Sequence, residues 1–503
     1  MHSPSDDALV LHSEEPALQS QRGGRELPEL AHRLRSGFVP VVIPLWRKNL
    51  ARIPALISWL REQGRALPMP EAFQPRPNHF LAEDLGAYHT YVQHLLSPHA
   101  LRVAPPDQEL LAIASRLDHA TLVPAGDRLR LFGMITEAVF VGPRVFHLDV
   151  TNACNTNCLY CWFHSPLAGA RPDAAKLDRR WRNSFLEVPV ALQLLDDLRE
   201  LGSVEDLVIS GKGEPLLHPR ILDLVSEAKD RELFVTLFTN GILLDQVLRE
   251  RLLQRPPDLL YVSVSAATPA TYRLLHRDCA EGEFERVRAN LRALGESREQ
   301  LKLATPRIVL VMVLNRYNAE ELEAFYELGR ELGVAFVRYQ VMADEPYLRE
   351  AGLLAPQLPA VLEQLAKVEK KQGEGPRLVE NISLQAVRLA ENQTDWSHHH
   401  FLHHPCNVGW FFARSWADGG YSFCCSPKAT ALGHDRSFKE LWQSEHYRSF
   451  RRAGKYIPSH ADFTFEDGTP LYTPICNRCP HYEQMAYFDN LARSCGLEEY
   501  LWR

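Results

Sequence analysis

From residue 141 to about 345 the sequence alternates between short apolar runs and longer amphipathic ones, a pattern that few folds satisfy. The short runs are Val145–Val150, Asp206–Ser210, Phe234–Phe238, Leu259–Ser265, Arg307–Leu314 and Phe336–Val341. Between them, Val188–Leu201, Pro219–Asp230, Leu244–Leu253, Phe284–Leu294 and Glu320–Leu332 carry helical spacing. Strand and helix in strict succession predict a parallel α/β sheet with right-handed crossovers. Ligand sites in such sheets gather at the C-terminal ends of the strands.

Chemistry-bearing residues stand at those ends. Behind the first run, the stretch FHLDVTNACNTNCLYCWFHS (Phe146–Ser165) holds Cys154, Cys158 and Cys161 with spacing C-x3-C-x2-C. Three thiolates on one loop can face one metal centre. Iron–sulfur clusters normally take four cysteines, so a cubane held here keeps one iron open to another ligand. The other reading of the spacing is zinc, which prefers four closing ligands in paired knuckles, or scattered buried thiols. Behind the second run comes SGKGEP (Ser210–Pro215), behind the third TNG (Thr239–Gly241), and behind the fourth SVSAAT (Ser263–Thr268). The segment Ser165–Glu187 is inserted at the same mouth, a position from which it can reach substrate.

The cysteine triplet and its companions resemble the signature of the radical S-adenosylmethionine (radical SAM) superfamily. The resemblance implies a [4Fe-4S] cluster on Cys154, Cys158 and Cys161 whose fourth iron is chelated by the amino and carboxyl groups of SAM. It puts the aromatic Tyr160 near the adenine. SGKGEP is similar to the family's GGEP motif, which implies that Gly211, Gly213 and Glu214 meet the SAM amino group. Lys212 departs from that motif and has no reading. Thr239, Asn240 and Ser265 then reach ribose and carboxylate. The family's Asp near Ala266 is absent. Asn315 is a further SAM-contact candidate or a helix cap.

Residues 406–503 carry Cys406, then DGGYSFCC with Cys424 and Cys425, then PICNRCP with Cys476 and Cys479. This region resembles the C-terminal SPASM/twitch extension of that superfamily. The resemblance implies an auxiliary [4Fe-4S] cluster on Cys406, Cys424, Cys476 and Cys479, with structural zinc as the other occupant. Cys424 is chosen over Cys425 because Asp418–Gly419 resembles the family's DG turn. Two further cysteines of a full SPASM domain would fall at Met485 and Asp489, so the resemblance is to the shorter form. The expected fold is α/β: a partial (β/α)6 TIM-like barrel of the radical SAM type, an α+β N-terminal domain and a small C-terminal twitch/SPASM-like cluster domain.

The rest of the chain is less informative. Residues 1–27 are polar and read as a disordered tail, and 28–140 as a cysteine-free domain for substrate or partner recognition or for capping the barrel. In it, Phe38–Trp46 reads as a strand, Pro68–Pro77 as a proline-rich linker, and Ile53–Gly64, Asp84–Leu96 and Gln108–Leu117 as helices. Residues 141–345 form the radical SAM core, 346–405 a linker with one helix (Pro359–Lys371), and 406–503 the auxiliary domain. His398, His399, His400, His403 and His404 read as an exposed loop rather than a metal site. Cys279, Cys425 and Cys495 read as idle thiols, with Cys425 the strongest exception as a substitute ligand or hydrogen donor.

Composition narrows the partners. Fifty-six basic against 63 acidic residues give a net charge of −7 with no long basic run, so nucleic acid is not favoured. No apolar stretch reaches membrane-span length and no signal-peptide pattern opens the chain, which points to a cytoplasmic protein. Ten cysteines then read as metal-binding rather than disulfide-bonded. The resemblance implies an enzyme that takes an electron from flavodoxin or ferredoxin, cleaves SAM reductively to a 5′-deoxyadenosyl radical and abstracts a substrate hydrogen. The first expectation is an oxidative or cross-linking change to a peptide or protein. The alternatives are oxidation or epimerisation of a sugar, aminocyclitol or nucleoside, and a non-catalytic iron–sulfur scaffold or sensor.

Overall fold

A computed structural model describes Ile113, Arg116, Leu117, Ala120 and residues 123–503, apart from 172, 344, 372, 374, 392–396, 398–399, 418–419, 425–429, 432–436, 456, 461–471, 478 and 503. The tail and nearly all of the N-terminal unit expected at 28–140, with its strand and helices, therefore lie outside the described residues.

The six predicted strands are present as β1 (Val145–Asp149), β2 (Asp206–Ser210), β3 (Val235–Thr239), β4 (Leu259–Ser263), β5 (Arg307–Leu314) and β6 (Phe336–Val341). They pair in parallel and lie side by side in chain order. That order is the winding of a (β/α) barrel, not of a doubly wound sheet. Helices supply the outer cover. In Val188–Leu201 the residues Ala191, Leu194, Leu195, Leu198 and Leu201 are buried, the i, i+3, i+4 stripe of a helix with one apolar face. Pro189 opens that helix, and Gly202, at φ 67°, closes it.

Four further strands extend the sheet. Arg377–Glu380 (β7) adds in parallel beside β6. Phe412–Ser415 (β8) pairs in parallel with the other edge of β1, in the register Val145↔Phe412 to Leu148↔Ser415. The short strands Tyr421–Ser422 (β9) and Thr430–Ala431 (β10) continue it antiparallel. Residues 346–405 thus hold more than one helix: Leu358–Lys370 and Ile382–Ala390 flank β7. The C-terminal residues are fastened to the barrel at its first strand. Arg414 makes two hydrogen bonds, of 2.9 and 3.1 Å, to the buried Asp149 carboxylate. Phe438 packs edge-on against Phe146 at 4.9 Å, and Trp442 donates its indole N–H to the Val141 carbonyl at 3.1 Å. Among the described residues no helix is long and apolar enough to cross a membrane.

Candidate cluster and cofactor site

Beyond β1 the chain leaves the sheet and forms the cysteine loop. The loop is anchored at its centre: Cys158 bridges to His276, and the Leu159 N–H donates to the Leu275 carbonyl at 2.8 Å. Cys154, Cys158 and Cys161 are free thiols. The Cys161 sulfur accepts the backbone N–H groups of Phe163 and His164 at 3.4 and 3.3 Å. Donors aimed at a sulfur are the means by which a protein tunes a cluster-bound thiolate. Burial pushes all three thiols up, Cys161 to about 11. Buried thiolates need a cation in place of the proton, and an iron centre provides one. A single tetrahedral zinc would draw its thiolates to about 3.8 Å from one another. Among the described residues, neither cysteine set brings three sulfurs within 4.8 Å of one another. The donor set fits a cluster better than one ion.

The SGKGEP loop after β2 lies directly against this loop. Gly213 N–H donates to the Thr151 carbonyl at 3.1 Å, and Glu214 N–H to the Ala153 carbonyl at 2.7 Å. A Cβ on Gly213 would stand 2.0 Å from the Ala153 oxygen, and one on Gly211 2.6 Å from the Thr151 oxygen. The close approach that the two glycines permit is therefore to the cysteine loop's backbone. Lys212 now has a setting: its Nζ lies 4.0 Å from the centroid of Trp416, 5.4 Å from Phe163 and 5.7 Å from Trp181. These cation–π contacts join the cysteine loop, the 165–187 insertion and the residue following β8. The three rings are far apart in sequence, and only the insertion's position at the mouth hinted at them.

Glu214 is 3% exposed, and burial pushes its carboxyl up to about 7 against the pull of donors from Asn240, Leu216 and Thr239. Its Oε1 accepts from Leu216 N–H at 3.0 Å and Thr239 hydroxyl at 2.8 Å, and its Oε2 from Asn240 N–H at 2.7 Å. A carboxylate has about four acceptor positions, so one remains for an ammonium ion. Asn240 in turn donates to the Asn155 side chain at 2.7 Å, closing a path from β2 through β3 to the cysteine loop. Glu214→Gln places an amide N–H opposite one of these donors. The expected result is a protein that keeps its iron but binds SAM about ten- to a hundredfold more weakly, read by equilibrium binding.

Other expected contacts fall less simply. Ser265 sits at φ 57°, fully buried, and its hydroxyl accepts the Val313 N–H at 3.1 Å. It joins β4 to β5. Asn315 caps its own turn, accepting Tyr317 N–H at 3.0 Å and donating to the Val313 carbonyl at 2.8 Å. Tyr160 lies edge-on to His276 at 6.2 Å. Its hydroxyl faces Ser265, Ser263 and Cys158, whereas both polar side-chain atoms of Asn152 are buried without a hydrogen-bond partner among the described residues. Such orphaned groups beside the cysteines fit a polar ligand. A cavity of about 440 Å³ opens alongside, lined by Asn157, His164, Ser165, Ala168, Leu177 and Arg182 among others.

In the C-terminal region Cys424 follows β9. Phe423 beside it packs 3.2 Å from where a Gly409 Cβ would lie, close in sequence to Cys406. Cys406 N–H donates to the Gly454 carbonyl at 3.1 Å, and Cys479 N–H to the Cys476 carbonyl at 3.2 Å. Cys425, Asp418 and Gly419 lie outside the described residues. The histidine cluster is corrected in part: His398 and His399 are not described, but His400 and His404 are part-buried on a helical turn instead of an exposed loop. Burial pulls the His400 imidazole down to about 4. Cys279 is part-buried at the edge of the core, and Cys495 ends the helix Tyr482–Ser494.

The profile of the Radical SAM superfamily matches residues 148–329. Among curated proteins, the chain is 24% identical over 193 residues to the tungsten-containing aldehyde ferredoxin oxidoreductase cofactor-modifying protein of Pyrococcus furiosus, covering 38% of this chain and 49% of that one. It is 31% identical over 209 residues to the GTP 3′,8-cyclase of Chlorobaculum tepidum, covering 40% and 55%. It is 28% identical over 239 residues to the PqqA peptide cyclase of Streptomyces rochei, covering 46% and 58%. The chain spans about half the length of the curated relatives it matches.

Proposed function

We propose that this chain, which belongs to the radical SAM superfamily through residues 148–329, is a SAM-dependent iron–sulfur enzyme that modifies a peptide or protein. One observation carries the reading: three part-buried cysteines share the loop beyond β1, with two N–H groups directed at Cys161 and the SGKGEP loop locked beneath them. When bound, the cluster supplies the electron that cleaves SAM to methionine and a 5′-deoxyadenosyl radical.

The chain's own residues hold and orient. Cys154, Cys158 and Cys161 are the thiolate ligands, and the Phe163 and His164 N–H groups offset charge on one of them. Glu214 keeps Thr239 and Asn240 at the mouth and offers its remaining acceptor position to the SAM amino group. Asn152 offers unfilled polar atoms. Cys406, Cys424, Cys476 and Cys479 are assigned to an auxiliary [4Fe-4S] cluster that assists an oxidative or cross-linking change. The domain limits 141–345 and 406–503 and a flavodoxin or ferredoxin donor belong to the same proposal, as does a recognition role for 28–140.

The peptide reading is supported by the similarity to PqqA peptide cyclase, the longest of the three alignments. A small-molecule reading is supported by the higher identity to GTP 3′,8-cyclase. The test is anaerobic turnover of reduced, cluster-loaded protein with SAM. The expected result is 5′-deoxyadenosine release that rises with a short peptide encoded beside this chain and yields a peptide lighter by a pair of hydrogens. Release stimulated by a nucleoside and not by the peptide favours the second reading. Absence of SAM cleavage by fully loaded protein overturns both.

A further inference from the structure

We infer that His400, His404 and Asp489 form a site for one divalent transition ion, zinc in the first place, separate from both cysteine sets. The two histidines stand one helical turn apart, His404 N–H donating to the His400 carbonyl at 2.8 Å, and their rings stack at 4.5 Å and 8°. Both present a ring nitrogen to the same carboxylate oxygen. His400 Nε2 lies 3.4 Å and His404 Nδ1 3.2 Å from Asp489 Oδ2, which comes from the distant helix Tyr482–Ser494. The three ligand atoms all lie within 4.8 Å of one another.

These separations have a physical reading. Zinc binds imidazole nitrogen at about 2.0–2.1 Å and carboxylate oxygen at about 2.0–2.2 Å, so the edges of its tetrahedron measure about 3.3–3.5 Å. The observed 3.2 and 3.4 Å match two such edges; the third, between the two imidazoles, lies within 4.8 Å, and the stacked rings tilt on binding to direct both nitrogens at one ion. The two distances do not match a pair of good hydrogen bonds: His400 Nε2 and Asp489 Oδ2 are buried and have no hydrogen-bond partner among the described residues. Leaving such atoms unsatisfied is unfavourable, and an ion among them removes that cost. The His400 and Asp489 side chains are 11% and 9% exposed. His404, with a side chain 34% exposed, leaves an approach from solvent and a fourth position for water or another ligand.

Two nitrogens and one oxygen from neutral and anionic groups suit zinc or another borderline divalent ion, not the thiol-seeking clusters. The place in the fold suggests a brace. The turn carrying His404 leads into Cys406, and the helix carrying Asp489 follows Cys476 and Cys479. One ion here ties together two segments that carry thiols of the C-terminal set. The inference stands on its own and does not depend on what those thiols hold.

The test uses the full chain with its iron already reconstituted. One equivalent of zinc is added, and the protein is desalted. The expected result is about one retained zinc per chain with unchanged iron. Zinc-edge X-ray absorption should show a nitrogen and oxygen shell near 2.0–2.1 Å with imidazole outer scattering and no sulfur at about 2.3 Å. His400→Gln and Asp489→Asn should each weaken zinc retention by more than about a hundredfold while iron stays constant. Failure of the unaltered chain to retain zinc overturns the site. So does a sulfur shell, which would move the ion to cysteine, and so does undiminished zinc in both variants. If a variant does not fold, the absorption spectrum of the unaltered protein decides.

Discussion

Gly213→Ala is expected to empty the first cysteine set of iron and to abolish SAM cleavage. The added methyl would stand 2.0 Å from the Ala153 oxygen and 2.6 Å from the carbonyl carbons of Asn152 and Ala153. All three are backbone atoms, so no side chain can swing aside. One loop must retreat by about an ångström to restore ordinary contact. That retreat breaks the hydrogen bonds from Gly213 and Glu214 to Thr151 and Ala153, both leading directly into Cys154. Two lost bonds and the displaced backbone together cost about 4–5 kcal/mol, at the extreme of single substitutions. Iron analysis after reconstitution and the midpoint of thermal unfolding measure the effect. Gly211→Ala, with its nearest contact at 2.6 Å, serves as the milder comparison. If Gly213→Ala binds full iron and cleaves SAM at the normal rate, the locked arrangement of the two loops is wrong.

Replacing Cys154, Cys158 and Cys161 together by alanine is expected to remove all SAM cleavage and about half of the iron. Two four-iron clusters predict about eight irons in the unaltered chain and about four in the triple variant. The expected remainder belongs to Cys406, Cys424, Cys476 and Cys479. This experiment separates the two cysteine sets because they enter the fold independently. The first hangs from β1 and is bridged to His276, whereas Cys406 and Cys424 flank the added strands β8 and β9. Iron falling to nothing means that the C-terminal thiols hold no cluster of their own. Zinc taking the place of the remaining iron means that the auxiliary cluster assignment fails in favour of a structural ion.

Local patterning carried much of the barrel. Arg307–Leu314 and Val188–Leu201 are each a strand or helix over the very residues that their periodicity marks. A helix stripe or a buried strand is written in contiguous side chains, so it is legible without the rest of the chain. The cysteine spacing is visible in the same way, because residues on one loop need only that loop to lie near one another.

The sequence alone could not say what the distant parts do to one another. The four residues of β8 are too few to show a period, and their place beside β1 follows from an open strand edge and the Arg414–Asp149 pair. Glycines in SGKGEP announced a close approach, but only the folded chain decided that the neighbour is the Ala153 backbone. The tie between the Ser265 hydroxyl and the Val313 N–H likewise depends on the path of β5. The histidine run showed nothing of Asp489, which reaches it from another helix. In each case the deciding interaction joins residues remote in the chain, whose meeting depends on the packing of whole elements and not on any local pattern.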